Sequence, residues 1–154
     1  MSTYVERLQR ITKKYIAAGE TWPATTHQIA AWAINKTLWS PHPSDLINQC
    51  ADQLARAMRE EFITDPQGRV VRAKHAARIK RGAEQMTLWA DIRTASPEHM
   101  AIAFQQRRQQ IVGDCRQLKL DVDSYNQNNN LGLGIQMVFD FRNDLAELEA
   151  AAAA

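Results

Sequence analysis

The sequence predicts a mainly α-helical α+β protein with one small β-hairpin, on three observations. Apolar residues recur at helical spacing through most of the chain, one turn-forming tetrapeptide separates two short β-prone runs, and the composition suits a chain that buries a core. The last point rests on 154 residues that are 45% hydrophobic and 23% charged, with only 6 Gly and 5 Pro. That length fits one ordinary domain or a small domain with a helical appendage, and excludes large barrels and two-domain enzymes. No run approaches the about 18 to 20 uncharged apolar residues of a membrane span, and the N-terminus lacks the apolar stretch of a signal peptide. A soluble, cytoplasmic protein is expected.

Val5, Leu8, Thr12 and Tyr15 form one stripe, with Ile11 and Ile16 beside it, so Ser2 to Ala18 reads as an amphipathic helix ended by Gly19. Thr25 or Thr26 can cap a second helix to about Asn35, whose Ile29, Ala30, Ala33 and Ile34 suit close packing. Pro41 and Pro43 forbid its continuation, and Ser44 can cap a third helix from Asp45 to about Glu61. Ile47, Cys50, Leu54 and Met58 are expected on the buried side of that helix. Its other face carries Asn48, Gln49, Asp52, Arg56 and Arg59.

Phe62-Ile-Thr64 and Arg69-Val-Val-Arg72 flank Asp65-Pro66-Gln67-Gly68, in which Asp first, Pro second and Gly fourth suit a type I turn. A β-hairpin is predicted there. Glu84 to Arg93 is compatible with either a third strand or a short helix. Ser96-Pro97-Glu98 starts a helix, with a capping hydroxyl, a first-turn proline and an acid at the positive dipole end. Phe104, Ile111, Leu118 and Tyr125 then recur every seven residues, with Cys115 and Val122 between them, carrying the helix to about Asn126. A helix of that length needs a partner. The Asn-rich break at 126–130 and Gly132 lead to a final helix predicted from Ile135 to Glu149, striped by Val138, Phe141, Leu145 and Leu148. The two are expected to form a long antiparallel helical hairpin over 96–149, following a first domain of 1–95. The closing alanines are expected to fray.

Charge is uneven along the chain. Residues 1–82 carry 13 Lys and Arg against 7 Asp and Glu, whereas residues 83–154 carry 6 against 10. The N-terminal part is therefore expected to meet a polyanion. Arg outnumbers Lys 13 to 6, and a guanidinium fork matches phosphate oxygens and guanine edges better than an ammonium does. From Gln67 to Ala83 there are Arg69, Arg72, Lys74, Arg78, Lys80 and Arg81, with His75 and no acid.

Helix, helix and short hairpin, with positive charge concentrated on the hairpin, resembles the winged-helix arrangement of DNA-binding regulators at the level of the fold, over about Thr25 to Ile79. The resemblance implies that Asn48, Gln49, Gln53, Arg56 and Arg59 lie on a recognition helix and that Arg69, Arg72 and Lys74 lie on a wing, with Arg78, Lys80 and Arg81 continuing the basic surface. It implies binding of double-stranded DNA and regulation of transcription in a bacterial or phage setting. The long C-terminal helices beyond it are expected to form a homodimer or protein contact through Phe104, Ile111, Cys115, Leu118, Val122, Tyr125, Val138, Phe141 and Leu145. A helical adaptor that docks another protein through its C-terminal hairpin is the competing expectation.

Catalysis has little to stand on. Asp121-Val-Asp123-Ser-Tyr-Asn126 lacks the glycine and glutamate of a calcium loop, and no phosphate-binding loop, GxSxG, HExxH or GxGxxG occurs. His27, His42, His75 and His99 are dispersed, so no catalytic residue, metal or cofactor is expected. Cys50 and Cys115 are expected to be reduced thiols in core or interface positions. Trp22, Trp32, Trp39 and Trp89 are expected to anchor the core rather than stack bases.

Overall fold

The computed structural model describes residues 1–129 and 132–153 and divides into two compact units, Met1–Arg56 and Ala57–Ala154. The chain is mixed α and β, with helices and two separate two-stranded antiparallel sheets. None of the described helices is long and apolar enough to cross a membrane.

In the first unit, α1 (Tyr4–Ala17) and α2 (Thr26–Asn35) begin in the same way. The Thr3 hydroxyl accepts from the Glu6 amide while the Glu6 carboxylate accepts from the Thr3 amide, and Thr25 and Gln28 repeat the exchange. Each box satisfies two amides that a helix start leaves free. Gly19, at φ +75°, ends the first turn after α1 in a conformation that a side chain resists. The two helices meet through Tyr15 and Ala33, both buried. The Tyr15 ring lies edge-on to Trp32 at 5.4 Å, and its hydroxyl donates to the Thr21 carbonyl at 2.9 Å.

The third helix, α3 (Asp45–Arg59), starts where the two prolines require. The Ser44 hydroxyl, expected to cap it, pairs instead with His42 Nδ1 at 2.7 Å, and the Asp45 carboxylate accepts from the His42 amide. The apolar stripe expected to be buried is not. Ile47 is 77% exposed and Leu54 57%, Cys50 is exposed, and Met58 is half-buried. Periodicity fixed the face of this helix but could not supply a partner for it.

In the second unit, β1 (Phe62–Thr64) pairs with β2 (Val70–Arg72) with Ile63 opposite Val71. The turn is built by Asp65, whose carboxylate accepts from the Gln67 and Arg69 amides while Gly68, at φ +86°, donates to the Asp65 carbonyl. The Gly68-to-Asp65 bond closes a four-residue turn, and the glycine takes the left-handed backbone there that other residues resist. The segment that sequence left open is a strand: β4 (Glu84–Asp91) pairs with β3 (Lys74–Arg81) from Lys74 opposite Asp91 to Arg81 opposite Glu84.

The long helix α4 (Pro97–Asn129) starts at Ser96, whose hydroxyl accepts from the His99 amide, and its early turns pack on β3. Ala73, Ala77 and Ala103 are the buried apolar residues here, with His75 buried beside them. The segment after Gly132 corrects the expected final helix. Residues 132–141 are not helical, and α5 covers Arg142–Ala153, so Val138 and Phe141 lie ahead of it and the alanines through Ala153 belong to it. The cause is visible at Asn126, whose amide donates to the Ile135 carbonyl at 2.7 Å and accepts from the Ile135 amide at 2.9 Å. That exchange satisfies the Ile135 backbone without a helix. Leu145 and Leu148 are exposed on α5.

Two other expectations are corrected. Neither thiol is in the core, Cys50 being exposed and Cys115 half-buried. Trp22 is exposed, whereas Trp32, Trp39 and Trp89 are half-buried.

Candidate nucleic-acid interface

Alternation along β3 places Lys74, Ala76 and Arg78 on one face, opposite Asp91, Trp89 and Thr87 of β4. The half-buried Trp89 ring sits opposite the small Ala76, and the Arg59 guanidinium at the end of α3 lies over that ring, 5.6 Å from its centroid. On the flank of β3, α4 is attached through two side chains. Gln106 accepts from the Arg78 amide and donates to the Arg78 carbonyl, both at 2.8 Å, and His99 Nε2 donates to the His75 carbonyl at 2.9 Å. His75 Nε2 in turn donates to the Arg72 carbonyl, and its ring meets Phe104 edge-on at 5.3 Å.

This docking creates a groove of about 570 Å³ lined by Arg59, Arg72, Lys74, Arg78 and Arg107 with Trp89, Thr87, Gln109 and Gln110. No carboxylate among the described residues lines it. Among the described residues, Arg59, Arg72, Arg78 and Arg107 lie within ion-pair distance of no acid. Partial burial pulls the Arg107 guanidinium below its ordinary pKa, and the charge of Arg72 adds to the effect. The Arg107 guanidinium stays charged at neutral pH. Like charges brought together without a counter-ion are the electrostatic condition for holding an anion.

The structure distributes the remaining candidates differently. Lys74 reaches the groove but is also bonded to Asp91 at 3.1 Å and Glu61 at 3.2 Å, which raise its pKa. Arg69 is held in the β1–β2 turn by Asp65 at 2.7 Å. Lys80 and Arg81 are exposed beside the Gly82 turn, outside the groove. Asn48 and Gln49 belong to the first unit, where they line a groove of about 890 Å³ with Tyr4, Arg7, Asp45 and Asp52, a setting in which acids outnumber fixed cations. Gln53 and Arg56 are exposed on α3 and line neither groove. Sequence reasoning missed Gln106, Arg107, Gln109 and Gln110. The run Gln105-Gln-Arg-Arg-Gln-Gln110, free of acids, was the signal for them.

Asp91 organises the base of this face. Its carboxylate accepts from the Arg93 guanidinium at 2.7 and 2.9 Å, from the Arg93 amide and from Lys74, which together hold its pKa well below the usual 3.8. A depressed folded-state pKa contributes stability that is present above the unfolded value and is lost as pH falls through the folded one. Asp65, lowered chiefly by the Arg69 amide, and Asp140, lowered by Arg142, act in the same direction. The denaturation midpoint is therefore expected to hold steady from neutral pH down to about 4 with respect to these groups, and to fall below it. Asp91→Asn should flatten part of that acid limb, and an unchanged limb in parallel urea titrations would remove Asp91 from this role.

Compared with protein-family models, with curated proteins and with solved structures, the chain matches none.

Proposed function

We propose that this protein binds double-stranded DNA through the groove between β3 and α4 and serves as a regulator of transcription. The observation that carries the reading is the approach of Arg72 to Arg107, with Arg59 and Arg78 on the same walls and no acid among the lining residues. Phosphates supply the missing counter-charge. Gln109 and Gln110 offer amide groups of the kind that bond adenine edges, so the groove combines backbone attraction with a means of base selection. The order of elements supports a winged-helix-like arrangement, since three helices precede the tight β1–β2 hairpin. Two copies joined through their C-terminal helices would offer two grooves to two half-sites.

Each phosphate neutralised releases condensed counter-ion, with a slope of about 0.9 in log affinity against log salt. Four arginines then predict a loss of about a hundredfold in affinity between about 50 and 200 mM salt. Changing Arg72, Arg78 and Arg107 together to Ala is expected to weaken binding to every duplex and to reduce the slope by nearly three. Fluorescence anisotropy of a short labelled duplex reads both quantities, and circular dichroism checks that the variant remains helical. Binding that ignores salt or the triple substitution contradicts the proposal.

The reading as an adaptor that docks through its C-terminal helices has one specific observation in its favour, the exposed Leu145 and Leu148 of α5. A stable protein complex from a chain that ignores duplex DNA at low salt would replace the first reading with this one.

A further inference from the structure

We propose that the exposed part of α4 pairs with the same segment of a second copy as a parallel, in-register two-stranded coiled coil spanning Ile111 to Tyr125. Beyond its attachment to β3, α4 keeps an apolar seam at alternating spacings of four and three: Ile111, Cys115, Leu118, Val122, Tyr125. This is the mean period of 3.5 that winds helices around one another. Ile111 is 53% exposed, Leu118 43% and Tyr125 47%, with Cys115 and Val122 half-buried between them, on one stripe of a helix about 50 Å long. In heptad terms Cys115 and Val122 occupy a, and Ile111, Leu118 and Tyr125 occupy d. Within this seam, Val122 at a beside Leu118 at d is the combination that favours two strands.

The charged flanks identify the occupant as another copy and set its direction. Arg107, Asp114 and Asp121 occupy g, and Val112, Lys119 and Asn126 occupy e. In a parallel pair, g of one helix faces the following e of the other, which places Asp114 beside Lys119 of the second copy twice, by two-fold symmetry. In an antiparallel pair, e faces e, and Lys119 has no acid in that row to meet. The row g faces itself with two aspartates out of three. Asn126 is already engaged with Ile135, which ends the seam at the Tyr125 layer.

The proposal does not depend on DNA binding, and its test contains no nucleic acid, so either can fail alone. The full chain carrying Cys50→Ser is expected to sediment as a reversible dimer. With diamide, which takes two electrons and two protons from a pair of thiols, it should form a reducible covalent dimer through Cys115, because a residues face each other in register. In a chain also carrying Cys115→Ser, an outward Arg116→Cys should cross-link poorly. Asp114→Lys is expected to weaken the dimer about tenfold, and adding Lys119→Asp should restore it, since the swap returns opposite charges to the same contact. Circular dichroism establishes that these surface variants stay helical. A chain that remains monomeric, a dimer whose Cys115 fails to cross-link, equal cross-linking from position 116, or a dimer indifferent to the charge swap each overturns the proposal.

Discussion

Tyr15→Ala is expected to unfold α1 and α2, with a loss of about 3 to 5 kcal/mol. Large effects follow from how little is buried in the first unit. Tyr15 and Ala33 are its buried apolar residues among those described, and Tyr15 alone joins the edge of Trp32 to the chain reversal at Thr21. Truncation removes the ring from both contacts at once, and a helix pair of 14 and 10 residues cannot persist on propensity alone. Tyr15→Phe separates the hydroxyl from the ring. Thr21 is exposed, so water can replace the lost donor, and a cost of about 1 kcal/mol or less is expected. Urea midpoints give both values, and amide exchange across residues 4–35 should accelerate for the alanine variant only. A loss below about 1 kcal/mol for Tyr15→Ala would mean that some other contact holds these helices.

What was legible in the sequence was decided within a few residues. The Asp65 turn was readable because an Asp carboxylate, a proline ring and a glycine each act on backbone two or three positions away. The starts of α2 and α4 were readable for the same reason, since a capping side chain needs only its own first turn. What failed needed distant partners. Met86-Thr-Leu-Trp89 becomes a strand because β3 pairs with it across Gly82. Ile135 to Phe141 has spacing that fits a helix, yet the Asn126 side chain, nine residues away, takes the Ile135 backbone first. The candidate groove was half legible: Arg72 and Arg78 lay in an evident basic run, but Arg107 joins them only once α4 is fastened along β3. No local rule brings residues 72 and 107 together.

That fastening should be breakable at one position, with consequences for both stability and binding. Ala103 is the buried residue of α4 and lies on the same helical face as His99, four positions before it, and Gln106, three after it. Both of those side chains reach the backbone of β3, so the Ala103 methyl occupies the closest approach of helix to strand. Ala103→Leu adds three carbons there. Leucine is nearly as good a helix former as alanine, so the damage is steric, about 1 to 3 kcal/mol, and falls on the docking rather than on the helix itself. Ala101→Leu makes the same chemical change at an exposed position of the same helix and should be neutral within about 0.5 kcal/mol. If the groove is the DNA site, Ala103→Leu separates Arg107 from Arg72 and Arg78 without removing any charge. Its affinity for duplex should then fall at least as far as that of Arg107→Ala, while the net charge of the protein is unchanged. Equal affinity in Ala103→Leu and Ala101→Leu, despite a measured loss of stability in the former, would show that attraction to DNA comes from overall charge and not from the composite groove.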